Sequence, residues 1–243
     1  MKKALKITSI ILGIILIPII VVAIWFPGLP MRLYVQFKYE FSESDFSEYE
    51  HYNVETPDSF VTVGDDMFSL RIPSNLEHSN SDDGEYNYTG DNIYLNFYRL
   101  YSDGTFFRYT SNTTLEQMKQ YNNEMKCFNV PCPETNYAHA AFVHGFSHED
   151  ILVKERGDSE IILSYAEMRK DLDGIFEKSW HFSNSNGEGI VEYIGKNENN
   201  QRVYMLYFFS SSNLNCGYSV MIAVPESNEE LAWQIINSVE YIW

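Results

Sequence analysis

Between Ile7 and Phe26 the chain runs for twenty residues without a charge, dominated by Ile, Leu and Val. At ~1.5 Å rise per residue a helix of that length reaches ~30 Å, the thickness of a bilayer's hydrocarbon core. Lys2, Lys3 and Lys6 precede the run, and Trp25 and Phe26 close it at interface depth. Residues 1–6 are therefore expected in the cytoplasm, 7–26 as a transmembrane helix whose partner is the lipid bilayer, and the rest outside. Pro18 falls in mid-span, where membrane helices tolerate a kink. A cleaved signal peptide is the rival reading. The exit Ile24-Trp25-Phe26-Pro27-Gly28-Leu29-Pro30 has no small-residue cleavage pattern, and no cysteine lies near it to carry a lipoprotein anchor. The expectation is an uncleaved signal anchor holding a single-pass protein in a cell membrane.

This segment divides the charge. The chain has 17 Lys and Arg against 34 Asp and Glu, a net of −17. Every acidic residue follows position 30 while three lysines precede it, so the remainder carries 14 basic groups and a net of −20. A domain so acidic is repelled by nucleic acid, which is excluded as a partner. It is compatible with cationic partners or metal ions, although solubility beside a membrane explains the charge as simply. Aromatic residues make up 16% of the chain, which argues against disorder. Three cysteines in 243 residues exclude a disulfide scaffold.

Residues 27–50 are expected to form a juxtamembrane stalk or an outward continuation of the membrane helix, and residues 51–243 one extracytoplasmic domain. Phe68, Leu70 and Ile72 alternate with Ser69 and Arg71, as do Ile93, Leu95 and Phe97 with their neighbours, which predicts strands. The cluster Ser79-Asn80-Ser81-Asp82-Asp83-Gly84 has turn chemistry. A helix is predicted from Thr113 to about Cys127, and helical structure from Ser147 to Asp171 with a break at Gly157. Segments near 177–182, 188–195, 202–210 and 217–224 read as an antiparallel meander, with turns at 184–187 and 197–200. Val203–Phe209 is apolar on both faces and is expected to be central. Pro225 should end the sheet, and Ser227-Asn228-Glu229-Glu230 has the form of a capping box opening a helix that buries Leu231, Ile235 and Val239. The expected class is α+β, an antiparallel sheet with helices packed on it, preceded by one transmembrane helix.

Phe68-Ser69-Leu70-Arg71-Ile72-Pro73 resembles the opening strand of PsbP-like domains. The closing strand, Pro225 and the helix Glu230–Val239 with Ile235-Ile236-Asn237-Ser238-Val239 are similar to their last strand and helix. Leu76 stands where such domains often carry an aromatic residue after the opening proline. The resemblance covers about thirty residues at the two ends of the domain. It implies an α/β/α sandwich serving as an accessory or binding module, and it carries no functional residue.

Several groups are candidates for chemistry. His139, His144 and His148, followed by Glu149 and Asp150, are the candidate metal ligands. The pattern lacks the H-E-x-x-H pair and base, and loop histidines at a helix start are the plainer account. Cys127 and Cys132 have a spacing that a turn through Pro131 can close into a disulfide, with Cys216 able to pair with either. Asp171-Leu172-Asp173-Gly174 with Glu177 is part of a calcium-loop pattern, as is the turn at Asp82-Asp83-Gly84, although the pattern is incomplete and a helix ending in a glycine turn explains the first equally well. Tyr94 and Tyr98 are candidates for a ligand groove, although strand spacing alone explains them. Asn87-Tyr88-Thr89 and Asn112-Thr113-Thr114 fit the glycosylation pattern. No nucleophile elbow and no phosphate-binding glycine loop is present, and no cofactor is expected. The expected function is therefore a non-catalytic binding or accessory module with a protein or small ligand as partner. The alternative is a metal-dependent envelope hydrolase centred on His139, His144 and His148.

Overall fold

Short asparagine turns set the frame. Asn184 Oδ1 accepts from the backbone N–H groups of Asn186 and Gly187, and Asn197 Oδ1 from those of Asn199 and Gln201. These turns reverse the chain without leaving backbone donors unpaired. The computed structural model describes residues 19–22, 24–41, 47–48, 54–80, 85–100, 127–129, 136–210 and 217–242. The described strands are β1 (Ser47–Glu48), β2 (Val61–Gly64), β3 (Phe68–Ile72), β4 (Glu77–Asn80), β5 (Glu85–Gly90), β6 (Ile93–Leu100), β7 (Lys178–Asn184), β8 (Gly187–Lys196), β9 (Gln201–Ser210), β10 (Gly217–Pro225) and β11 (Glu240–Tyr241).

Eight of them form one sheet in the order β1-β7-β8-β9-β10-β6-β5-β4, antiparallel except where β1 joins β7 in parallel. A second sheet has the order β11-β3-β2. The meander lies where the sequence places it, with Val203–Phe209 in β9 between β8 and β10.

Alternation along the strands sends one set of side chains into the main core. Phe68, Leu70, Ile72, Leu95, Phe97, Val191, Leu206, Phe208, Val220 and Ile222 meet there with Leu231, Ile235 and Val239. Phe68 stacks on Tyr218 at 4.3 Å between ring centroids, and Trp233 meets Trp180 and Tyr204 edge-on. Asp65 shapes the turn from β2 to β3, since Oδ1 accepts from the N–H groups of Met67 and Phe68 and Oδ2 from the Tyr218 hydroxyl.

Four described helices complete the domain: α1 (Leu29–Lys38), α2 (Asn136–Gly145), α3 (Ser159–Ile175) and α4 (Glu229–Asn237). Helix α4 covers the main core. The capping box expected at Ser227 does not form, because a one-turn 3-10 helix at Glu226–Asn228 shifts the start to Glu229. The Glu229 carboxylate reaches across to the sheet, accepting from Arg202 at 2.7 Å and from the Tyr204 hydroxyl at 2.6 Å.

Helices α1, α2 and α3 build a second core around Val35, Phe128, Val143, Phe146, Ile162, Tyr165 and Ala166, and α2 packs on β8. The class is α+β, with antiparallel sheets and helices packed on them. Asp158 caps α3 through the N–H groups of Glu160 and Ile161, directly after the break expected at Gly157. Residues 147–150 are only a single 3-10 turn with a Ser147–Asp150 capping box, and α2 lies where no helix is expected.

The segment read as a stalk is folded against the domain. Val35 and Tyr39 are buried in the second core, and Ser47–Glu48 extends the main sheet. Residues 7–18 and 23 of the apolar run lie outside the described residues, as do residues 113–126 of the predicted helix. Among the described residues no helix is long and apolar enough to cross a membrane.

Candidate functional site

Of the polar groups that the sequence singles out, His144 lies where α2 crosses the sheet. On β8, Val191 and Tyr193 face the main core, so the pleat turns Ile190 and Glu192 to the opposite face, under α2. His144, in the last turn of α2, brings Nε2 to 2.8 Å from Glu192 Oε1, with the two side chains 2% and 0% exposed. Loss of hydration raises the Glu192 pKa, and His144 opposes that shift.

Earlier on the same helix, Tyr137 hydrogen-bonds His181 of β7. Burial raises the Tyr137 pKa. With Glu192 and His144 sealed from solvent, the pair fastens α2 to the sheet and presents neither group to a substrate.

His139 and His144 stand about 140° apart around the helix axis, since they are five residues apart. His139 consequently turns to α3 and meets Tyr165 edge-on at 5.7 Å. Burial lowers its pKa to about 4. His148 lies in the following 3-10 turn, half-buried. The three candidate ligands are thus not brought together, and among the described residues no group of three or more His, Cys, Asp or Glu could hold a metal ion.

Other candidates have structural employment. Asp171 and Asp173 are inside α3, which runs on to Ile175, in line with the helical reading of this stretch rather than a calcium loop; Asp173 pairs with Arg169 at 2.8 Å. Tyr94 and Tyr98 share one face of β6, opposite Leu95 and Phe97. The Tyr94 hydroxyl donates to Asn87 Oδ1, which also accepts from the Asn96 amide. That engages Asn87, the first candidate glycosylation position, within the sheet. Cys127 is buried, with Sγ accepting from the Asp158 N–H at 3.2 Å, and burial raises its pKa. Cys132, Cys216, Asn112 and Asp82-Asp83-Gly84 lie outside the described residues.

The β5–β6 turn, the β8–β9 turn and the end of β10 converge around a hollow of about 400 Å³ lined by Asn92, Asn199, Asn200, Pro225, Glu226 and Ser227. Asn92 and Asn200 adopt φ of 58° and 57°, conformations that asparagine accepts more readily than most residues. Gln201 ties the two turns by donating to the Asn92 carbonyl at 2.8 Å. Asparagine clusters in turns were the available signal, but only the strand order brings them to one end.

No family model matches the chain, and no curated protein matches it. Among solved structures, a crystal structure of a protein from Bacteroides thetaiotaomicron VPI-5482 is similar at 9% identity and a TM-score of 0.31. The likeness covers 72% of this chain and 45% of that one, so this chain matches less than half of the other protein's length. A likeness at that score supports no conclusion about fold or function.

Proposed function

We propose that the protein is a single-pass membrane protein whose acidic extracytoplasmic α+β domain acts as a binding or accessory module rather than an enzyme. The observation that carries this reading is how closely the apolar run meets folded structure. Phe26 ends the run, and two residues later the Gly28 N–H donates to the Val153 carbonyl at 3.1 Å. A side chain at Gly28 would sit 2.1 Å from the Leu152 carbonyl oxygen, so the approach of the two segments depends on glycine. The accessory role is supported by the employment of His139, His144 and Glu192 in packing helices, and by the resemblance of residues 68–73 and 225–239 to PsbP-like domains.

Alkaline carbonate extraction of membranes, combined with protease added outside intact cells, tests the placement. The full-length chain should stay in the washed pellet, with its C-terminal domain cut from outside. Release into the wash, or full protection from the protease, would overturn the reading.

A further inference from the structure

We infer that α1 is an interfacial helix, which seats its outer stripe at the headgroup–acyl boundary of the leaflet from which the Ile7–Phe26 run emerges. The inference rests on the membrane reading proposed above. Helix α1 has two apolar faces. Val35 is buried in the second core, with Met31 packed beside it. Around the other side, Pro30, Leu33, Tyr34 and Phe37 recur at i, i+3, i+4 and i+7, a stripe centred about 150° from Val35. Leu33 is 40%, Tyr34 47% and Phe37 83% exposed. A helix packed on a domain ordinarily turns polar residues outward, so this face is inverted.

Continuity and charge name the occupant. The last described residues of the apolar run are themselves bare, with Ile24 71% and Trp25 72% exposed. Residues 19–22 and 24–25 are helical, and only Phe26 and the turn at Pro27–Gly28 separate them from α1. No acidic residue precedes Glu40, whereas Arg32 and Lys38 lie on α1. Lys154 and Arg156 are exposed in the loop that receives Gly28, with Glu155 the acid between them.

Glu149 and Asp150 of the 3-10 turn packed against α1 offset the cations of that loop, so the basic groups on the helix itself are Arg32 and Lys38, which suit the headgroup region of an anionic phospholipid surface beside an apolar stripe. Lys38 Nζ stands 5.3 Å from the Tyr34 ring and 4.8 Å from that of Tyr39. Its stem thus follows the edge of the stripe while its charge stays at headgroup height. A second copy of the chain fits less well. The stripe has four residues, against roughly 20–30 a side in a stable interface.

A fluorescent non-canonical residue placed in turn at Trp25, Leu33, Gln36 and Phe37 tests this in the full-length chain. The chain is reconstituted in phosphatidylcholine–phosphatidylglycerol vesicles carrying lipids with nitroxide high on the acyl chain. Quenching is expected at 25, and at 33 and 37 it should exceed that at 36, which is exposed but off the stripe, by about twofold or more. Quenching at 25 with none at 33 and 37 overturns the interfacial helix and leaves the anchor standing. No quenching at any position overturns both. A blue shift at 37 that grows with protein concentration, without lipid quenching, marks a second copy on the stripe and also overturns the inference.

Discussion

His144 Nε2 lies 2.8 Å from Glu192 Oε1 with neither side chain reaching solvent, so one imidazole and one carboxylate join a helix to a sheet in a dry layer. Such a pair gives up the hydration of both groups, and its attraction only partly repays that cost. Removing one member is therefore a different experiment from removing the charge. His144→Leu leaves a buried carboxylate without its partner and should cost about 3–5 kcal/mol at neutral pH. Glu192→Gln keeps the shape and should cost clearly less. The raised Glu192 pKa stabilises the fold below the ordinary carboxylate range, and that contribution is lost as pH rises through the raised value. Urea unfolding of the full chain in detergent, repeated across pH, should show this downward slope flatten in Glu192→Gln.

His139 gives the opposite slope. Its pKa falls from 6.5 to about 4 because burial disfavours the imidazolium. The unfolded chain then takes up the proton first, and stability is lost as pH falls from 6.5 towards 4. The loss attributable to this one group is roughly 3 kcal/mol at full protonation of the unfolded state. A His139→Leu variant should lose that part of the acid sensitivity, read from unfolding midpoints at pH 7 and pH 5.

Asp65 holds three donors at once, the N–H groups of Met67 and Phe68 and the hydroxyl of Tyr218. Asp65→Ala should destabilise the domain by about 2–4 kcal/mol, because the turn and a largely buried hydroxyl lose their acceptor together. Tyr218→Phe removes only one of the three bonds and should cost about 1 kcal/mol. Thermal unfolding of the two variants separates these contributions.

Gly28→Ala places a methyl group 2.1 Å from the Leu152 carbonyl oxygen and 2.5 Å from that of Glu155, so the backbone must part. A loss of about 1–3 kcal/mol is expected. Limited proteolysis should then cut between residues 26 and 41 faster than in the parent, while the rate within β8 to β10 stays the same.

The strands were legible because alternation and turn chemistry are local. Phe68, Leu70 and Ile72 announce their burial, and Asn184 and Asn197 announce the reversals beside them. Helix α2 was hidden because Ala138, Ala140 and Ala141 give little apolar periodicity, and packing between the sheet and α3 supplies its stability. Which residues are buried after Phe26 was hidden for a related reason. Val35 and Phe37 are equally apolar in sequence, and only the position of α3 decides which of them is buried. Glu192 carries no local signal. In an alternating strand a glutamate reads as solvent-facing, and the helix that covers it is remote in sequence. The histidines stand out by their crowding, yet the helical angle that sends His139 and His144 apart follows only from α2 being a helix.

The N-terminal segment is made well before the partners that complete it. Gly28 waits for Val153, Val35 for α3, and Ser47 for Trp180, each more than a hundred residues downstream. At ordinary synthesis rates of about 5–20 residues per second, α1 spends on the order of ten seconds without the surface that buries Val35 and Tyr39. During that interval both of its apolar faces are open. The vulnerable species in the life of this protein is thus the unfinished chain, and mutations in α3 should show themselves as poor yield before they show themselves as poor stability.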